Sequence, residues 1–238
     1  MPLLELQRVS VLSGQRALCS DVSFAVERGT LVSVTGPSGA GQAALLDAIS
    51  GRRPPDHGEV LFQGVRLRAL TPAERCRLGL VRVFPVPPAA LRGTALAHAA
   101  AGALSRAPDA AVAREIAGEA LRTVGLGPRA GQPAAALSPV EQRQLALARA
   151  LAARPELVLL EEPLRGLDPE GAGALVELLR DLRRAGLSFL VAASDPRAAL
   201  RAADRVVVLG AGEKIGEGTP RQVAEDRAVV AAFLGEEA

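Results

Sequence analysis

Apolar and polar positions alternate with period two over residues 3–9 and 22–26, the pattern of half-buried antiparallel strands. Leu31–Thr35 is a short apolar run entering a glycine-rich loop, and Ala43–Ser50 follows with helical spacing, closed by Gly51. Glu59–Phe62 and Val65–Leu67 flank Gln63-Gly64, a hairpin signal. Pro-Val-Pro-Pro at 85–88 fits neither regular helix nor central strand. From Thr94 to Val124 the chain is alanine-rich with apolar residues at helical spacing, which predicts a mostly helical insert broken near Pro108. A long helix is predicted from Pro139 to Ala153. Leu157–Leu160 and Ser188–Ala192 are continuous apolar runs, typical of parallel strands buried on both faces. Arg205–Leu209 reads as a further strand and Thr219–Leu234 as a helical tail.

Helix starts share one signature. Thr71-Pro-Ala-Glu74 and Ser138-Pro-Val-Glu141 are capping boxes with proline at the first helical position. Asp168-Pro169, Asp195-Pro196 and Thr219-Pro220 are caps of the same kind. Such firm punctuation points to an intact fold, and no internal repeat interrupts it.

Composition narrows the function classes. A chain of 238 residues can bury one sizeable α/β core or two modest ones, and 49% hydrophobic with 23% charged residues is ordinary for a globular protein. The net charge of +2, no Trp, no Tyr and five Phe give a nucleic-acid role neither electrostatic attraction nor stacking platforms. Nearly all the cation is arginine, Lys214 being the only lysine. Cys19 and Cys76 are isolated, and His57 and His98 stand far apart, so no metal spacing exists; buried thiols in a reducing compartment are favoured over a disulfide. The start, Met1-Pro-Leu-Leu-Glu-Leu-Gln, has no basic lead or apolar core of a signal peptide. The longest charge-free stretch, Thr30–Leu46, is broken by Gly and Pro and is too short for a membrane span, so membrane association is expected through a partner.

The chemistry concentrates at Gly36-Pro-Ser38-Gly39-Ala40-Gly41-Gln42-Ala43. Both glycines of the phosphate-loop pattern G-x-x-x-x-G-K-[ST] stand at the right spacing, between a strand and a helix. The loop can cradle an anion with backbone N–H groups. Gln42 replaces the lysine that reaches the β/γ-phosphates, and Ala43 replaces the hydroxyl that ligates Mg²⁺. The strand Leu157–Leu160 ends in Glu161-Glu162, where a strand beside such a loop usually ends in Asp-Glu. Glu161 is longer than Asp by a methylene, about 1.5 Å, which displaces the carboxylate that would position Mg²⁺. Glu162 stands where a water-activating base would be; the bland alternative is an acidic strand end facing solvent.

The order of these motifs resembles that of an ATP-binding cassette (ABC) nucleotide-binding subunit over essentially the whole chain. It continues through Ala136-Leu-Ser-Pro-Val-Glu-Gln-Arg143, Ala148-Arg-Ala-Leu151, Leu159-Leu-Glu-Glu-Pro163 and Gly166-Leu-Asp-Pro169. Gly79-Leu-Val-Arg-Val-Phe84 and the ending Val230-Ala-Ala-Phe-Leu-Gly-Glu are similar to branched-chain amino acid importer cassettes. The resemblance implies one domain over 1–238: an α/β P-loop core with an N-terminal antiparallel β subdomain (1–85 and 154–238), and a helical subdomain at 86–153. It implies ATP and Mg²⁺ as cofactors, membrane permease subunits and a second cassette as partners, and a cytoplasmic place at the inner face of the membrane. Nucleotide contacts would fall at Ser13, Gly36, Ser38, Gly39, Ala40, Gly41, Gln42, Ala43 and Ala44, and Mg²⁺ at Ala43, Pro85 and Glu161.

The resemblance also shows where chemistry is missing. The adenine-stacking aromatic corresponds to Ser13, and the Q-loop glutamine to Pro85. The signature Leu-Ser-Gly-Gly-Gln is Leu137-Ser138-Pro139-Val140-Glu141, and the switch histidine is Ser194. The glycine loop, Ser38, Ser138, Glu162 and the D-loop residue Asp168 remain; Ser138 reads equally as a plain helix cap. Lost charge-assisted hydrogen bonds at roughly 1.5–3 kcal/mol each and a lost stacking platform at about 1–3 kcal/mol remove about two to four decades of affinity. Weak binding and little or no hydrolysis are expected, either in a homodimer with two poor sites or beside an intact cassette. A divergent but active transport ATPase and a non-transport scaffold on the same fold stay open as alternatives.

Overall fold

In the computed structural model, residues 1–84, 92–104, 106–195 and 200–234 are described. The strands in chain order are β1 (Leu4–Ser13), β2 (Arg16–Val26), β3 (Leu31–Thr35), β4 (His57–Phe62), β5 (Val65–Arg66), β6 (Leu80–Val83), β7 (Leu157–Glu161), β8 (Ser188–Ala193), β9 (Arg205–Gly210) and β10 (Glu213–Gly218). The helices are α1 (Gln42–Ser50), α2 (Pro72–Arg77), α3 (Ala95–Ala103), α4 (Ala110–Thr123), α5 (Pro139–Ala152), α6 (Pro169–Arg184), α7 (Pro220–Glu225) and α8 (Arg227–Leu234). The Pro85–Pro88 stretch lies outside the described residues.

Two sheets face each other across α1. A four-stranded antiparallel sheet runs β2-β1-β4-β5, and a six-stranded sheet runs β10-β9-β3-β8-β7-β6 with only the β10–β9 pairing antiparallel. One core joins the inner faces of both sheets to Leu45, Leu46, Ala48 and Ile49 of α1. A second core packs the other face of the larger sheet against α3–α6. Helix α6 buries Leu175, Val176, Leu179 and Leu182, one stripe at helical spacing. The alanine richness of the insert has a packing cause: α3 buries Ala95, Ala99 and Ala103, and at Gly102 any Cβ would collide with the carbonyl oxygen of Arg149 in α5. Small side chains let these helix backbones approach closely. Among the described residues, no helix is long and apolar enough to cross a membrane.

The structure departs from the sequence expectation mainly at edges. Strand β1 continues past residue 9 because its alternation is interrupted rather than ended: the register with β2 shifts after Leu6 and Val9, around Arg8 with φ 48°. The hairpin closes at Ser13 opposite Arg16, so β2 begins well before residue 22. Strand β10 (Glu-Lys-Ile-Gly-Glu-Gly) has weak strand formers and pairs only with β9, an edge that periodicity does not reveal. The helical tail is split where extended Asp226 (ψ 119°) ends α7 and accepts the Ala228 N–H at 2.9 Å.

The predicted caps at Thr71, Ser138, Asp168 and Thr219 all form. At α5, the Ser138 hydroxyl accepts the Glu141 N–H at 3.4 Å while the Glu141 carboxylate accepts the Ser138 N–H at 2.8 Å. The Ser138 N–H donating to it first of all, then the Ser138 hydroxyl and Arg129, hold the Glu141 carboxyl below its usual range. Cys19 is buried without a disulfide, and burial pushes its thiol up to about 11, so it stays protonated at neutral pH.

A buried cation, Arg75, ties the end of α1 to the chain that follows. Arg75 is 2% exposed, and its guanidinium donates to the carbonyls of Ala48 (2.7 Å) and Ile49 (2.8 Å) in the last turn of α1, and of Leu67 (2.6 Å) and Leu70 (3.0 Å). A cation at a helix C-terminus complements the helix dipole, and here it also satisfies carbonyls that the helix leaves without partners.

Two outcomes follow for stability. Arg75→Ala removes the donor shared by four carbonyls, leaves those of Ala48 and Ile49 at the end of α1 without it, and should lower the urea-unfolding free energy by about 3 kcal/mol, with Arg75→Lys recovering part of it. Ser138→Ala should cost about 1 kcal/mol near neutral pH. Because the Glu141 pKa is depressed in the fold, its contribution is present above the ordinary carboxyl pKa and is lost as pH falls through the depressed value; denaturant titrations of Glu141→Gln should therefore show a deficit near neutral pH that shrinks in acid.

Candidate functional site

Strands β3, β8 and β7 are neighbours and parallel, with Thr35 opposite Ala193 and Glu161 opposite Ala192. Their C-terminal ends therefore share one edge, where ligands of open parallel sheets bind. Three chain segments leave from it: the loop at Gly36–Gly41, the acidic pair Glu161-Glu162, and Ser194.

The loop has the shape its glycines require. Gly41 has φ 104°, and a Cβ there would collide with the Leu18 carbonyl oxygen of β2; a Cβ on Gly36 would collide with that of Leu209. Ser38 and Gly39 are exposed, Ala40 and Ala44 are buried, and the Ala40 N–H donates to Pro37 at 3.0 Å. Helix α1 starts at Gln42 with no side-chain cap, so its first-turn N–H groups remain turned to the loop's mouth. Gln42 is 9% exposed and folds back into the loop: its Nε2 donates to the carbonyls of Gly36 at 2.7 Å and Pro37 at 3.4 Å. The Ala43 methyl is exposed and offers no oxygen.

At the acidic pair the two carboxylates face different partners. Glu162 sits at φ 45°, uncommon for a side-chain-bearing residue, and its N–H donates to Ala192 at 2.8 Å. Its Oε1 accepts the Ser194 N–H at 2.8 Å and lies 3.6 Å from the Arg165 guanidinium, which also donates to the Ser194 hydroxyl at 3.4 Å. Glu162, Arg165 and Ser194 thus form one network beside a cavity of about 330 Å³ that Leu164 and Leu167 also line. Glu161 does not face solvent as an open carboxylate. Its Oε2 accepts from Arg82 Nη2 at 2.7 Å.

The structure brings the loop residues, Glu161, Glu162 and Ser194 to one edge and leaves other expected positions elsewhere. Ser13 is exposed in the β1–β2 turn, although β2 itself packs on Gly41 through Leu18. Ser138, Pro139, Val140 and Glu141 form the capped start of α5, with Val140 against Gly171 of α6. Asp168 caps α6 through the Gly171 N–H at 2.7 Å. Pro85 lies outside the described residues. Arg82 and Arg165 were not singled out from the sequence as site residues. The available signal was Arg82 itself, a cation inside the apolar run Leu80–Val83 of a buried strand, which requires an acidic partner.

The two halves of a metal–nucleotide fit unequally. The glycine loop and uncapped α1 suit a phosphate anion. A divalent cation finds no hydroxyl at Ala43, and the Glu161 carboxylate is already hydrogen-bonded to a guanidinium. No group of three or more acidic, His or Cys side chains among the described residues could hold such an ion.

Comparison with known proteins agrees with this architecture. The family model described as ABC transporter matches residues 19–165, and one described as branched-chain amino acid ATP-binding cassette transporter matches residues 213–238. The chain is 39% identical to the Fe(3+) ions import ATP-binding protein of Streptomyces coelicolor, over 98% of this chain and 67% of that protein. It is 31% identical to the lipopolysaccharide export system ATP-binding protein of Acidithiobacillus ferridurans, over 99% and 98%. It is 35% identical to the cobalt import ATP-binding protein of Rhodobacter capsulatus, over 92% and 78%. The crystal structure of an ATP-binding cassette of an ABC transporter in its ADP conformation superposes with a TM-score of 0.91 at 24% identity, covering 99% of this chain and all of that one. From the strand edge, the glycine loop and these matches together, the chain belongs to the ATP-binding cassettes of the ABC transporter family.

Proposed function

We propose that this cassette is the ATP-binding subunit of a membrane importer of the branched-chain amino acid type, with ATP hydrolysis weak or absent. The observation that carries the second half is Gln42. Where the loop pattern has a lysine, a neutral amide donates to the loop's own Gly36 and Pro37 carbonyls, and the next side chain is a methyl group. The loop is closed by internal hydrogen bonds and presents no side-chain cation to a triphosphate.

Iron and cobalt import proteins among the relatives favour an importer, and the C-terminal match at 213–238 favours the branched-chain amino acid type. In this reading residues 1–85 and 154–238 are the nucleotide-binding core with its β subdomain, and 86–153 the helical subdomain. Cassettes of this family dimerise and work with membrane permease subunits; this one would sit at the inner face of the membrane under its permeases, paired with itself or with an intact cassette.

Nucleotide, when bound, would meet backbone N–H groups of Gly41–Ala44 and the Ser38 hydroxyl. Glu162 is the remaining candidate base, held by Ser194 N–H and Arg165; a water aligned for attack would have to compete with those contacts. Ser194 has no imidazole to offer in place of the switch histidine. Ser138-Pro-Val-Glu141 turns the signature's phosphate approach into a helix cap.

Calorimetry with Mg-ATP tests this reading. Binding no tighter than about millimolar is expected for the unaltered chain, with partial recovery, by about one to two decades, in Gln42→Lys/Ala43→Thr. Micromolar binding by the unaltered chain would restore the reading of an active, divergent transport ATPase.

A further inference from the structure

Beside the loop, at the outer end of α1, one guanidinium holds two carboxylates. The Arg82 side chain is 3% exposed although it belongs to an edge strand. Its Nη2 donates to Glu161 Oε2 at 2.7 Å, and its Nη1 to Asp47 Oδ1 at 2.5 Å and to the Ser50 hydroxyl at 3.1 Å. The Phe84 ring covers it, its centroid 4.9 Å from the guanidinium carbon, while Arg52 lies 5.6 Å from the same centroid and 3.7 Å from Asp47. Arg82 Nε is buried with no hydrogen-bond partner. Asp47 and Glu161 are each about a third exposed. Arg82 therefore joins the end of β7 to the middle of α1.

We propose that Arg82 is a built-in countercation that takes the place of a divalent metal ion between Asp47 and Glu161, so that the Glu161 carboxylate is closed to Mg²⁺. Hard divalent cations bind through carboxylate oxygens. Here one oxygen of each carboxylate already accepts a charge-assisted hydrogen bond, whose planar donor geometry suits carboxylates. A metal would have to draw Glu161 away from the buried guanidinium, or bind its other oxygen beside that cation and Arg52. Either course opposes the metal. Phe84 lies over the Arg82 guanidinium and attracts the cation through its ring face. This goes beyond the proposed function, because it concerns metal in the absence of nucleotide and holds whether or not ATP binds.

The experiment uses the full chain with no nucleotide, Mn²⁺ as a paramagnetic probe, and thermal melting with and without Mg²⁺. The unaltered chain should leave Mn²⁺ free up to about 1 mM, and Mg²⁺ should not move its Tm. Arg82→Gln frees two carboxylates. It should take up Mn²⁺ at about 1 mM or below, lose that uptake in Arg82→Gln/Glu161→Gln, and regain melting temperature with Mg²⁺. Mn²⁺ bound by the unaltered chain and lost in Glu161→Gln would overturn the proposal, as would a folded Arg82→Gln that takes up no metal. Should Arg82→Gln not fold, Glu161→Gln decides alone. Removing an acid from a buried guanidinium should lower Tm by roughly 6–12 °C, whereas an unchanged Tm would mean that Glu161 does not anchor Arg82 and would overturn the proposal.

Discussion

Helix α1 is the element on which both sheets and the loop depend, and its far end is fixed by Arg75. Four carbonyls from α1 and the segment before α2 converge on that guanidinium, with no carboxylate among the contacts. An ion so placed is sustained by oriented dipoles rather than by a counter-charge, and burial lowers its pKa from the usual arginine value without discharging it. The geometry makes α1 a rigid strut between the two sheets. The direction of its dipole, positive toward Gly41, follows from chain direction alone, and a cation at the opposite end is the arrangement that stabilises it. The anion-ready end of α1 and the clamped end are thus one structural fact.

At the loop end the same helix is closed by a different device. Gln42 satisfies the Gly36 and Pro37 carbonyls with a neutral amide. A lysine there could make the same hydrogen bonds and also carry charge to a ligand; the amide can do only the first. Ser138-Pro139-Val140-Glu141 shows the same division, since a reciprocal cap replaces a flexible backbone that a ligand could approach. In both places the side chains are tied to their own backbone neighbours by hydrogen bonds.

Much of this was legible in the chain because the information is local. Proline after Thr, Ser or Asp marks the helix starts, and a five-residue apolar strand followed by spaced glycines marks the loop; the structure places β3, α1, α5, β7 and β8 within a residue or so of expectation. What escaped depends on partners distant in sequence. Glu161 was read as a metal carboxylate shifted by a methylene, yet its partner is Arg82, 79 residues earlier, and only the adjacency of β6 and β7 brings them together. Arg75 resembles any exposed helix residue, since four carbonyls leave no mark in side-chain patterning. Strand β10 was missed because an edge strand needs neither alternation nor β-branched residues when one neighbour supplies all its pairing.

The charges around the edge lie close enough to one another to couple the residues at 82, 161 and 162 with their neighbours. Asp47 and Glu161 are balanced by Arg82 and Arg52, and Glu162 is offset by the exposed Arg165. Against a triphosphate the loop offers the α1 N-terminus, equivalent to about half a positive charge, and the backbone N–H groups around it. A lysine at 42 and a divalent ion would together add about three positive charges, turning a nearly neutral neighbourhood into a strongly attractive one. Restoring either alone leaves much of that deficit, because the ion needs an acid that Arg82 already holds and the lysine would lie near the carboxylates that the ion would otherwise neutralise. The substitutions at 42 and 43 and the pairing of 161 with 82 are therefore coupled through one electrostatic field, and their effects on anion affinity should be non-additive in the way expected for charges sharing a site.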